Sequence, residues 1–160
     1  MRAAIDSSVL IAFGKLGYLK LIAQLFDKFV VAESVFEEIR ADQVFSEVEK
    51  LVVAGSIEVL KGSNYELLTL LMSSLGRGEA ETIVLALELK ADFALLDDLR
   101  ARKAARRLKV KVMGTLALLK ALLDLKLVNE TPQDLCSKLI IQGFWLDAEL
   151  GLRTLKGNAE

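Results

Sequence analysis

Short apolar segments of strand length alternate along this 160-residue chain with longer stretches of helical periodicity, and that alternation constrains its fold most. The segments are 3–6 (AAID), 29–32 (FVVA), 57–60 (IEVL), 93–96 (FALL) and 110–113 (VKVM). Helical spacing carries Val9 to Leu16 and continues across Gly17 to Phe26. It returns with Val35, Phe36 and Ile39, and again over 43–53, 66–72, 79–90, 99–108, 115–125, 133–141 and 145–155. Strands joined through helices pair in parallel, so the pattern predicts an α/β fold with a mostly parallel sheet covered on both faces. The clearest helix is 79–90 (EAETIVLALELK), where Ile83, Ala86 and Leu87 form one apolar stripe and Glu81, Glu88 and Lys90 are expected to stay on the polar side. The run Asn129-Glu130-Thr131-Pro132 resembles a capped helix start. Neither a repeat nor a linker divides the chain, which predicts one domain over 1–160, with C-terminal helices at about 133–155 packed on it.

Composition narrows the chemistry. The chain has no histidine and a single cysteine, Cys136, which excludes a His-ligated zinc, a Ser-His-Asp triad and an intramolecular disulfide. Any metal must be held by oxygens, and oxygens favour the hard cations Mg²⁺ or Mn²⁺. Apolar residues make up 53% of the chain, yet none of its apolar runs approaches the ~18 residues of a membrane span. The N-terminus reaches Asp6 before a signal-peptide core could form, so a cytoplasmic location is expected. So apolar a composition in a short chain also predicts a homodimer or larger assembly.

Ligands of open α/β sheets bind outside the carboxyl ends of the strands. Two predicted strands end there in acids: AAI in Asp6, and FALL in Asp97-Asp98. Glu79 lies one turn before Ile83 on the apolar side of its helix, and Glu38 sits beside Ile39 at the margin of another. Carboxylates crowded together repel one another unless a cation neutralises them, and a divalent metal would do so. Each acid also has a plainer reading. Asp6 and Asp98 can cap the helices that follow them, Glu79 can complement a helix dipole, and Glu38 can be a solvated helix residue.

A basic run follows the acids. Arg100, Arg102, Lys103, Arg106, Arg107, Lys109 and Lys111 hold seven of the chain's 21 cations with no acid between them, although the whole chain carries a net charge of only −1. Such a run can engage a phosphate backbone or form a solvated helix face. Phe144 and Trp145 are expected to pack the C-terminal helices or a dimer interface.

The order of these motifs resembles the PIN-domain family. The resemblance rests on DSSVLIA at 6–12, VAESVFEEI at 31–39, GRGEAETIVLALELKADFALLDD at 76–98 and RARKAARRLKVKVMGTLALL at 100–119. It is strongest to a prokaryotic branch of uncharacterised PIN proteins related to VapC-type ribonuclease toxins, which the GFW segment at 143–145 also matches. The resemblance implies a three-layer α/β/α sandwich, often dimeric, with a metal-dependent ribonuclease site. It places Asp6, Glu79 and Asp98 as the metal-holding acids, with Asp97 as the alternative to Asp98, Glu38 as a fourth catalytic acid, and Ser8 orienting Asp6 or a water. Glu79 stands where many PIN proteins have Asp, a longer reach to a metal. The expected function is a Mg²⁺- or Mn²⁺-dependent endoribonuclease that cuts RNA, with Arg100, Arg102, Lys103, Arg106 and Arg107 contacting the nucleic acid. Its further extension is the toxin of a pair, with an antitoxin protein as partner. The alternative is a catalytically weak PIN scaffold that binds RNA or a protein partner without cleavage.

Overall fold

In the computed structural model, which describes residues 1–157, the five apolar segments are the strands of one parallel sheet. They are β1 (Arg2–Ile5), β2 (Lys28–Ala32), β3 (Glu58–Leu60), β4 (Phe93–Leu95) and β5 (Val112–Met113), in the order β3-β2-β1-β4-β5. Every pairing is parallel, with Ala4 of β1 opposite Val30 of β2 on one side and Ala94 of β4 on the other. The chain therefore moves outward from β1 to β3, then returns to the opposite side of β1 and moves outward again. That reversal opens a crevice beyond the carboxyl ends of β1 and β4, the switch point at which open α/β sheets bind ligands.

Between the strands lie α1 (Ser7–Leu16), α2 (Leu19–Leu25), α3 (Glu33–Glu38), α4 (Phe45–Val53), α5 (Tyr65–Met72), α6 (Arg77–Glu88) and α7 (Leu99–Arg107), with a 3₁₀ turn over Ile39–Ala41. The described residues form two compact units, Met1–Met113 and the residues from Gly114 onward. In the first, Ala4, Ala94 and Leu96 from one face of the sheet join a core with Leu68 and Leu71 of α5, Ile83 and Ala86 of α6, and Ala101 and Ala105 of α7. On the opposite face Ala3, Ile5, Phe29, Val31 and Leu95 are equally buried, and Phe29 stacks on Phe26. The sheet is thus the middle layer of an α/β/α sandwich, as predicted. Alanines at Ala4 and Ala94 let the helices approach it closely.

Helix α6 departs from the expected single stripe. Residues 80–86 are all buried, because α6 packs on β1, β2 and β4 as well as on α3, α5 and α7. A helix enclosed on several sides has no polar face at its middle, so Glu81 is buried instead of solvated. Gly14 marks another close approach: a Cβ there would lie 2.5 Å from Val44 Cγ1.

The second unit comprises α8 (Thr115–Asp124), α9 (Pro132–Ile141) and α10 (Ala148–Lys156), and α10 packs on the other two. The expected start of α9 is a capping box. Thr131 accepts from Asp134 N at 3.1 Å, the Asp134 carboxylate reaches back to Thr131, and Pro132 opens the helix. The last helix starts later than the predicted 145. Gly143 takes a left-handed φ of +85° and Asp147 caps the helix by accepting from Leu150 N, which leaves 144–147 as a connection. Trp145 on that connection is 93% exposed, so it does not pack the C-terminal helices as expected. Among the described residues no single helix is long and apolar enough to cross a membrane. The pair α1 and α2 passes that test only together, and it is bent by 120°.

Candidate active site

Asp6 follows β1 directly, and its backbone N–H donates to Leu95 O of β4 at 3.0 Å, which fixes it where the two strands end. It stands at the N-cap position of α1, yet its side chain accepts no capping bond. Instead the Ser8 hydroxyl donates to Asp6 Oδ2 at 3.1 Å, while Oδ1 is buried and receives no hydrogen bond. Burial pushes the Asp6 carboxyl up to about 6. The Ser7 amide and the Ser8 hydroxyl oppose that rise, and the charges of Glu79 and Glu38 add to it. The capping role open to Asp6 from its sequence is therefore not the one it takes.

The other acids surround it in one cavity of about 610 Å³, lined by Asp6, Glu38, Glu79, Asp97 and Asp98 together with Ser7, Ser8, Ser34 and the Gly76-Arg77-Gly78 turn. Glu38 closes α3, and its Oε1 accepts from the Ser7 hydroxyl at 3.2 Å. Glu79 stands in the first turn of α6 and accepts from Gly76 N at 3.1 Å through Oε2. Its carboxyl is held above the usual carboxylate range by burial first, and then by Asp98 and Glu38, while Gly76 N and Arg100 pull it down. Asp98 caps α7, with Oδ1 accepting from Arg100 N at 2.8 Å and Ala101 N at 2.9 Å. Asp97 lines the cavity beside it.

A pattern runs through four of these carboxylates. One oxygen of Asp6, Glu38, Glu79 and Asp98 is fixed by a serine hydroxyl or a backbone amide. Among the described residues no hydrogen bond reaches the other. Two of the free oxygens converge on Gly78, where a Cβ would lie 2.8 Å from Glu38 Oε2 and 3.6 Å from Asp6 Oδ1. The absent side chain leaves space between them. An all-oxygen donor set with an orphaned buried carboxylate oxygen fits a hard divalent cation. As the side chains stand, no three His, Cys, Asp or Glu groups among the described residues meet closely enough to hold one.

Of the basic run, Arg100, Lys103, Arg106 and Arg107 are exposed on α7, which leads away from Asp98. Arg102 is half-buried, and its Nε is enclosed without a partner. Among the described residues none of the five is in an ion pair.

Three contributors escape the sequence. Ser7 orients Glu38 across 31 residues of chain, and Gly78 makes room in a turn whose geometry only the fold defines. Glu81, 2% exposed, accepts from Ser34 N through Oε2 and from Gly62 N through Oε1, both at 3.0 Å. It thereby ties the segments after β2 and β3 to α6. Helical periodicity reports that Glu81 is polar, not that two amides await it. Glu88, nearer the surface, ties only the segment after β3 to α6, accepting from Ser63 N and Asn64 N.

The DUF3368 family model, described as a PIN domain, matches residues 2–160. No curated protein and no solved structure matches the chain.

Proposed function

Because the chain belongs to the PIN-domain family, a nuclease-type fold, we propose that it is a metal-dependent endoribonuclease. The observation that carries this reading is the set of four carboxylates, each fixed by one oxygen and unengaged at the other, at the switch point of the sheet. Asp6, Glu38, Glu79 and Asp98 would hold Mg²⁺ or Mn²⁺, with Asp97 the alternative to Asp98. That cation, when bound, supplies charge stabilisation at the phosphodiester and makes water a competent nucleophile near neutral pH. The chain's own groups prepare the site. Ser8 and Ser7 hold Asp6 and Glu38 in orientation, and burial lets the Asp6 carboxyl keep its proton up to about pH 6, where a cation would compete with it. The exposed cations of α7 offer a track for the RNA backbone leading from Asp98. Cleavage should leave a 5′-phosphate and a 3′-hydroxyl. The resemblance to VapC-type toxins extends the proposal to a toxin with an antitoxin partner, for which a small co-transcribed reading frame directly upstream is the expected sign.

One observation favours a rival reading, a catalytically weak scaffold: Glu79 and Asp98 both serve as helix-end acceptors. Thermal melts of the parent and Asp6→Asn, each with EDTA or Mn²⁺, separate the two beside a single-stranded RNA cleavage assay. The nuclease reading expects Mn²⁺ to raise the melting temperature of the parent only, and cleavage to vanish in the variant. Identical metal responses in both proteins would reject the site.

A further inference from the structure

Arg77 is the single cation among the described residues that line the acidic cavity, and it also lines a second one. This neighbouring cavity, about 400 Å³, is bounded by Glu33, Ser34, Glu37, Arg77 and Glu81, and it shares Ser34 and Arg77 with the first. One of its lining groups is fixed in place, since the buried Glu81 carboxylate accepts from the amides of Ser34 and Gly62. Arg77 is placed with similar firmness at the backbone. It is the first residue of α6, in the turn that Glu79 closes onto Gly76 N. Its guanidinium is exposed and, among the described residues, takes part in no ion pair or hydrogen bond. Glu33 and Glu37 have other cations near them, Lys61 at 4.0 Å and Arg40 at 2.6 Å.

The charges therefore alternate across the surface: an acidic cavity, one free guanidinium, then a second acidic cavity. Both cavities are acidic, so the first takes a phosphate only with a cation bound, and Glu33 and Glu37, although each has a cation near it, disfavour a phosphate in the second. Carboxylates can accept hydrogen bonds from sugar hydroxyls and exocyclic amino groups. A single-stranded nucleic acid alternates in the same way, with a charged phosphate followed by a neutral nucleoside rich in donors. We propose that Arg77 binds the phosphate flanking the scissile phosphodiester, between the two cavities, and that the second cavity receives the nucleoside on the far side of that flanking phosphate. This rests on the nuclease reading and deepens it by assigning Arg77 as a substrate-binding residue.

The test measures binding of a fluorescent single-stranded RNA hexanucleotide in EDTA, where no cleavage intervenes, over a salt titration. Losing one phosphate contact should flatten the slope of log K against log salt by roughly 0.7 in Arg77→Ala. Arg77→Lys should keep the parent slope, as should Lys90→Gln beyond the other end of α6. With Mn²⁺, Arg77→Ala should raise KM for the hexanucleotide with kcat unchanged. A dinucleotide has no flanking phosphate, so the variant and the parent should cleave it with equal KM. A parent that cleaves RNA while Arg77→Ala keeps its salt slope overturns the inference alone, and so does an equal KM increase on the dinucleotide. A parent that neither binds nor cleaves RNA overturns the nuclease reading and the inference with it.

Discussion

Asp6 is the residue at which fold and chemistry pull against each other. A buried carboxyl that titrates near 6, against 3.8 for the free group, means that the folded state binds the proton more tightly than the unfolded state. The stabilisation from that proton is fully present below about pH 4 and is lost as pH rises through about 6. The difference between the limits is about 3 kcal/mol. In EDTA, Asp6→Asn should therefore exceed the parent in stability at about pH 8 by up to roughly that amount, and the gap should close towards about pH 4. Denaturant unfolding at both pH values measures it. A gap independent of pH would mean that the carboxyl does not titrate in this window. The same competition predicts that metal-induced stabilisation of the parent strengthens as pH rises through about 6, because cation and proton contend for one carboxylate.

Elements α6 and α7 bring their acids to the site by their first turns, and this gives Glu79 and Asp98 two jobs each. The cap at Asp98 can be separated from ligation because Asn caps a helix as well as Asp does, whereas Ala does not. Asp98→Ala should cost about 1 kcal/mol of stability, while Asp98→Asn should cost little. Both should lose RNA cleavage under the nuclease reading. Full cleavage in Asp98→Asn would confine Asp98 to its capping role and move the ligand to Asp97. Helix α6 also carries Glu81, whose two amide partners come from segments 47 and 19 residues away in sequence. That carboxylate holds Ser34, a wall residue of both cavities, at the start of the helix that ends in Glu38.

For the whole molecule, a net charge of −1 provides little mutual repulsion, and the exposed apolar side chains include Ile141 at 81% and Trp145 at 93%. Self-association is the expected consequence. Light scattering at micromolar concentration should give twice the chain mass or more, and a clean monomer would refute it. Exchanging the exposed indole in Trp145→Ala should weaken association without lowering the melting temperature, since Trp145 makes little contact within its own chain.

The alternation of strand-length apolar segments with helices was enough to specify a parallel α/β/α sandwich, because each element's face is set by its own periodicity. It also put Asp6 and Asp98 at strand ends, and so on the ligand-binding edge of any such sheet. The pairing of Ser8 with Asp6 came from the family resemblance, and the hydrogen bond between them is a local one across a single intervening residue. What lay beyond the sequence was every interaction that depends on two distant segments meeting. The burial of Glu81 required α6 to be enclosed by the sheet and by neighbouring helices. The exposure of Trp145 followed from a left-handed turn at Gly143 and a cap at Asp147. Ser7 reaching Glu38, and the space at Gly78 between two carboxylate oxygens, arise only when α1, α3 and α6 converge. Local periodicity says which side of an element is apolar. Only tertiary packing decides which polar atoms are fixed and which remain free, because their partners come from elsewhere in the chain.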